Sequence, residues 1–162
     1  MIIEIQGPFL GKAPVCEPIL RSLPLWFGIE ASNRQYIRDI NAMPTFIGVI
    51  NDEASGFLTL KRHNKYSEEI DIMAVKPNMH RKGIGIALLS KAEEYLNQNG
   101  VEYLQVKTLS SKHADTNYAS TRAFYLAAGF RPLEEFSNIW GEQSPTLLLV
   151  KRLESNQQNR LS

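Results

Sequence analysis

The chain has little of what many common chemistries require. A single cysteine, Cys16, among 162 residues rules out an internal disulfide and a cysteine-based zinc site. The three histidines, His63, His80 and His113, lack metal-ligand spacing, so no metal is expected. Lys+Arg total 18 against 17 Asp+Glu, which leaves no one-signed field to draw nucleic acid or a membrane surface. No segment approaches the ~20 apolar residues that span a bilayer. The first residues lack the basic region and long apolar core of a signal peptide. These absences predict a cytoplasmic protein with neither a nucleic-acid nor a membrane partner.

What is present suits one globular domain. Hydrophobic residues make up 43% and charged residues 22%, enough apolar surface for a real core. The pattern predicts a strand over 2–9, a helix over 15–22 that stops before Pro24, and a second helix over 30–41. Residues 46–50 and 57–60 read as a hairpin around the polar loop 51–56. A further strand runs over 69–75, a long helix over 83–99 with Gly100 as its stop, and a strand over 101–109. A short helix over 120–128 and late strands near 135–140 and 146–153 complete the order. The domain covers 1–154, and 155–162 is a polar tail. A central antiparallel hairpin followed by a βαβ crossover predicts an α/β fold with a mixed, mostly antiparallel, twisted sheet flanked by helices.

The most informative segment is His80-Arg81-Lys82-Gly83-Ile84-Gly85, between a β-branched strand and the start of the long helix. Outward backbone N–H groups, the helix dipole and two absent side chains make an anion site there. A P-loop needs Lys and Ser/Thr after its last glycine, but Gly85 is followed by Ile86-Ala87. A dinucleotide fingerprint needs a third glycine where Leu88 stands, close to the strand. Coenzyme A fits better. Its pyrophosphate can sit on loop amides, and its pantetheine amides can bond along a strand edge.

At this point the sequence resembles the GNAT superfamily of N-acetyltransferases. The family's [Q/R]-x-x-G-x-[G/A] loop follows a strand ending in a small-apolar-Val-x-Pro phrase. Here Met73-Ala74-Val75-Lys76-Pro77 precedes His80 to Gly85, with His80 in place of the usual Gln or Arg. A helix ending in aromatic-Tyr-x-x-x-Gly-Phe also matches, as Phe124-Tyr125-Leu126-Ala127-Ala128-Gly129-Phe130. The family's asparagine seven residues before that tyrosine is replaced by Tyr118, with Asn117 one residue earlier. The likeness covers 69–130; the first 44 residues match loosely.

The resemblance implies acetyl-CoA as co-substrate and a primary amine as acceptor, with a small molecule favoured over a peptide. It implies cofactor contacts from Met73, Ala74 and Val75, from His80, Arg81, Lys82, Gly83, Ile84, Gly85 and Ile86, and from Asn117. A non-catalytic acyl-CoA sensor is the remaining alternative. An alkylamine of pKa ~10.4 is neutral about once in 2,500 molecules at pH 7, a handicap of 4–5 kcal/mol that a base would relieve. Glu69 holds the position of a catalytic glutamate in some family members; otherwise it is a solvated strand-end carboxylate. Tyr125 is the candidate general acid for the leaving thiolate; otherwise it is core packing. A backbone N–H of 73–75 would hold the oxyanion, aimed by a bulge; the apolar run there equally suits a strand buried on both faces. Cys16 reads as a buried hydrophobe ahead of a nucleophile, and His63 and His113 as solvated loop residues ahead of bases. Thr108 and Ser110 read as turn or surface residues ahead of a cleft lining from the strand over 101–109. Trp26-Phe27 and Trp140 read as packing or as acceptor-pocket walls. A monomer and a homodimer are both compatible with the apolar late strands.

Overall fold

A computed structural model describes residues 1–113 and 117–154. The expected polar tail, 155–162, lies outside the described residues. The elements in chain order are β1 (Ile3–Phe9), α1 (Ala13–Arg21), α2 (Glu30–Ala42), β2 (Thr45–Ile50), β3 (Glu53–Arg62), β4 (Ser67–Val75), a 3₁₀ turn (Pro77–Met79), α3 (Ile84–Gln98), β5 (Tyr103–Leu109), α4 (Asn117–Ala127), β6 (Arg131–Phe136) and β7 (Thr146–Arg152). The strands form one sheet in the order β1-β2-β3-β4-β5-β7-β6. The β1/β2, β2/β3, β5/β7 and β6/β7 pairs are antiparallel. This is the α/β fold with a mostly antiparallel sheet that the pattern predicts.

Contacts gather into two compact units. The first holds Met1–Lys61 and Ile70–Leu96. Its core begins on α1, where Ala13, Cys16, Ile19 and Leu20 recur at helical spacing and are buried. They cluster with Ile40, Ile47, Phe57, Ile72 and Ala74. Trp26 and Phe27 pack partly buried against this cluster, and Phe27 meets Tyr36 edge-on at 5.8 Å. Both thus contribute to packing.

The β2–β3 hairpin is tighter than predicted. Ile50 pairs with Glu53, so only Asn51-Asp52 form the turn, with φ of 50° and 63°. Two successive left-handed residues are the mark of a type I′ turn, which asparagine and aspartate tolerate. The expected six-residue loop fails because Glu53 to Gly56 already belong to β3, with a register shift between Gly48 and Val49. β4 starts two residues early, at Ser67, and from Ile70 it alternates buried and half-buried residues to Val75. A strand buried on both faces over 73–75 is therefore ruled out; the three apolar residues do not share one environment.

The second unit holds Arg62–Glu69 and the described residues from Asn97 onward. β5 buries Leu104, Val106 and Thr108 on one face. β6 is the last strand of the sheet, is almost wholly exposed, and contains Pro132. It begins four residues before the predicted strand. An exposed edge strand needs no apolar alternation and tolerates proline, so the usual signal was missing. Ile139 and Trp140, expected near a strand, are exposed in the β6–β7 connection. The α4 helix also starts earlier than predicted, at Asn117.

Candidate active site

The first unit holds the candidate anion cradle. After Val75 the chain makes its 3₁₀ turn and then two left-handed steps, Arg81 at φ 62° and Gly83 at φ 90°, before α3 opens at Ile84. Across this junction Ala87 N–H donates to Gly83 O at 3.0 Å. The amides just before Ala87 have no carbonyl one turn back within the helix, so they are available to an anion. Arg81 and Lys82 are exposed beside them. The loop's base is tied down twice. Lys76 N–H donates to Ser55 O at 2.9 Å, and Lys76 Nζ donates to Glu53 Oε1 at 2.6 Å. His80 Nε2–H donates to Val75 O at 2.7 Å, and its ring lies edge-on to Trp26 at 5.9 Å. The His80 side chain thus closes the loop on its own strand.

The second unit carries the candidate acid and base, each in its own surroundings. Glu69 is not a solvated carboxylate: its side chain is 9% exposed. Its Oε1 accepts from His63 Nε2 at 2.6 Å and from Lys107 Nζ at 2.9 Å; its Oε2 accepts from the same Nζ at 3.1 Å. Sequence reasoning read His63 as a solvated loop residue; it is an exposed loop residue, and its ring is also bonded to Glu69. It also passed over Lys107. Strand alternation could have found Lys107, because Gln105 and Lys107 share a face of β5 and reach Ser67 and Glu69 of β4. Glu68 is buried as well, and desolvation raises its pKa against the lowering effect of Arg62 and His63. Buried charge of this kind is costly unless paired, so the cluster is not an accident of packing.

Tyr125 is buried between Phe124 and Phe130, whose rings meet it edge-on at 5.2 and 5.4 Å. Desolvation raises its phenol above the ordinary tyrosine value. It therefore stays protonated at neutral pH, the form a proton donor must have. Asn117 opens α4, and its carbonyl accepts from Ser120 Oγ at 3.0 Å. Arg122 Nη1 donates to Leu109 O at 2.8 Å, joining α4 to β5. Thr108 and Ser110 are buried rather than turn or surface residues. Ser110 Oγ donates to Glu135 Oε1, and Glu135 Oε2 receives Lys112 Nζ at 2.8 Å. Glu135 and Lys112 line a cleft of about 650 Å³ with His113, Ser137, Glu142, Gln143 and Pro145. Cys16 is fully buried and its thiol is pushed up to about 12, mainly by desolvation, so it is no nucleophile. Among the described residues no group of His, Cys, Asp and Glu could hold a metal, and no helix is long and apolar enough to cross a membrane.

A family model described as an acetyltransferase (GNAT) domain matches residues 43–132. No curated protein sequence matches the chain. Among solved structures, the ribosomal-protein-S18-alanine N-acetyltransferase of Escherichia coli is 17% identical with a TM-score of 0.75, each chain covered to 98%. A GNAT family acetyltransferase from Elizabethkingia anophelis, with acetyl-CoA bound, is 20% identical with a TM-score of 0.69, covering 93% of this chain and 98% of that one. An aminoglycoside 6'-N-acetyltransferase complexed with coenzyme A is 18% identical with a TM-score of 0.69, covering 96% and 99%.

Proposed function

This chain belongs to the GNAT acetyltransferase family, and from that premise we propose that it moves the acetyl group of acetyl-CoA to the primary amine of a small molecule, by direct attack within a ternary complex. The observation that carries the cofactor half is the loop: left-handed Arg81 and Gly83 deliver the chain into the N-terminus of α3. Amides of Arg81 to Ile86 receive the pyrophosphate, with the Arg81 and Lys82 side chains beside it. Met73, Ala74 and Val75 offer main-chain groups to the pantetheine arm and the thioester oxygen. His80 holds the loop closed through Val75 O, so it serves shape more than charge. Asn117 is assigned a cofactor contact through the resemblance alone, standing one residue before the position of the family's asparagine, which Tyr118 occupies.

The bound co-substrate supplies an activated thioester; the chain supplies proton management. Glu69, held between His63 and Lys107, accepts the proton that the attacking amine must lose, directly or through water. Tyr125, kept protonated by burial, donates to the departing thiolate. A small acceptor is supported by the 650 Å³ cleft, a volume suited to a small molecule, in whose wall Glu142 stands with the Lys112–Glu135 ion pair. The E. coli neighbour named for a ribosomal-protein substrate keeps a peptide amine as the second reading.

Steady-state kinetics test the assignment. Tyr125→Phe should lower kcat by about 10² or more, since general acid catalysis is typically worth that much. A loss under about threefold removes Tyr125 from the acid role. An amine and peptide library followed by thiol release decides the acceptor class. Acetyl-CoA binding without thiol release from any amine would point instead to a sensor.

A further inference from the structure

Gly48 and Gly56 face one another directly across β2 and β3. Strand interiors disfavour glycine unless a bulge or a close approach calls for it. The register shifts beside this pair, between Gly48 and Val49, and α3 makes a close approach over both glycines. A Cβ at Gly48 or at Gly56 would stand 3.0 Å from Ile84 Cγ2, closer than carbon atoms can sit without movement. The two absent side chains make a slot, and the branched methyl of Ile84 occupies it. Ile84 is the first residue of α3 and is 1% exposed. Gly56 has a second constraint: its Cβ would meet Ala74 O at 3.1 Å and Val75 Cγ2 at 3.2 Å, on the strand that leads into the loop.

We propose that the Gly48–Gly56 pair is a positioning element for the cofactor: it seats Ile84 and so fixes where the loop amides of 81–86 stand. The inference rests on the reading of that loop as the pyrophosphate cradle. Hydrogen bonds to an anion tolerate only a few tenths of an ångström before they weaken, and the first helical turn carries the amides that make them. The other loop restraints, Lys76 to Ser55 O and His80 to Val75 O, hold the strand side of the loop. Ile84 in its slot holds the helix side.

The test turns on the shape of residue 84 rather than its size. Ile84→Val keeps the branched methyl; Ile84→Leu keeps the volume but loses the branch. Leucine is also the better helix former, so any loss it causes is not a propensity effect. Calorimetric titration with acetyl-CoA should give Ile84→Val a Kd within about twofold of the wild type and Ile84→Leu a Kd weaker by about tenfold, since small misplacements of positioning groups carry large costs. Gly48→Ala should weaken binding similarly, and Ile84→Ala should restore much of it in the double variant, because its only contact closer than 3.6 Å is Ile84 Cγ2. Gly56→Ala should resist that rescue, because Ala74 O remains in the way. Thermal denaturation run alongside separates position from stability. If Ile84→Leu or Gly48→Ala lowers Tm while Kd, measured well below Tm, stays at the wild-type value, the pair is mere packing and the proposal fails. Gly83→Val is the control for the loop itself: unchanged acetyl-CoA binding there would sink the cradle reading, whereas lost binding there with a wild-type Kd for Gly48→Ala would sink only the seat.

Discussion

Two residues show how burial decides chemistry one side chain at a time. Cys16 has no exposure, and its thiol is pushed up to about 12. The thiolate needed for attack or disulfide exchange is therefore scarce at neutral pH. The native protein should not react with an aromatic disulfide reagent over an hour at pH 8, and unfolding it should release one equivalent of thiol. Fast native labelling would show that α1 opens readily. Tyr125 carries the same argument into pH dependence. Its phenol is raised by desolvation, so the folded state favours the protonated form. That contribution is complete below the unfolded value of about 10 and is lost as pH rises through the higher folded value. The wild type should thus lose stability between about pH 10 and 12 more steeply than Tyr125→Phe, which has no proton to lose there. An equal fall in unfolding free energy from pH 8 to pH 11 for the two proteins, measured by denaturant titration, would contradict this. Neither environment is visible in the sequence, where a lone cysteine and an aromatic pair have the same letters in any fold.

At the scale of elements, what the sequence made legible follows periodicity, and what it hid follows sheet pairing. The α1 and α3 helices announce themselves by apolar spacing, and Gly100, at φ 77°, stops α3 as expected. The glycine loop is legible because its glycines and basic residues are consecutive. Lys107 and Glu69 are 38 residues apart and meet only because β4 and β5 are neighbours. Gly48 and Gly56 likewise gain meaning only once paired. The ion cluster invites a measurement. Lys107→Met leaves a nearly buried carboxylate with His63 alone, and should cost about 2–3 kcal/mol, below the 3–5 of a fully buried pair because Lys107 is 24% exposed. Adding Glu69→Gln should recover part of that loss in urea unfolding; strict additivity would mean that the two do not interact. The hairpin turn gives a second check. Asp52 sits at φ 63°, where glycine is unstrained and a β-branched residue is not. Asp52→Gly should raise Tm slightly, and Asp52→Val should lower stability by about 1–2 kcal/mol.

For the molecule as a whole, the near-cancelling charge has a consequence for cofactor binding. A net charge of +1 gives no global field to attract a polyanion such as acetyl-CoA. Attraction must come from the loop, through fixed amide dipoles and the exposed Arg81 and Lys82. These two sources respond differently to salt. Dipoles aimed at short range are little screened, whereas exposed side-chain charges are screened over about 8–10 Å at moderate ionic strength. Saturating acetyl-CoA at a hundred times its Kd should stabilise the fold by about 2.7 kcal/mol, a Tm rise of roughly 5–10 °C for a chain of this size. Raising salt from about 0.05 to 0.5 M should then weaken Kd several-fold without abolishing the shift. Arg81→Gln with Lys82→Gln should flatten that salt dependence while leaving a smaller, salt-insensitive shift from the amides. Gly83→Val should remove the shift at every salt concentration, since the left-handed step at φ 90° that aims those amides is closed to valine. A charge change of the same size on α2, Arg34→Gln with Arg38→Gln, should leave the slope as it was. If that pair flattens it as much as the loop pair does, attraction is a property of the whole surface and the loop has no special claim on the anion.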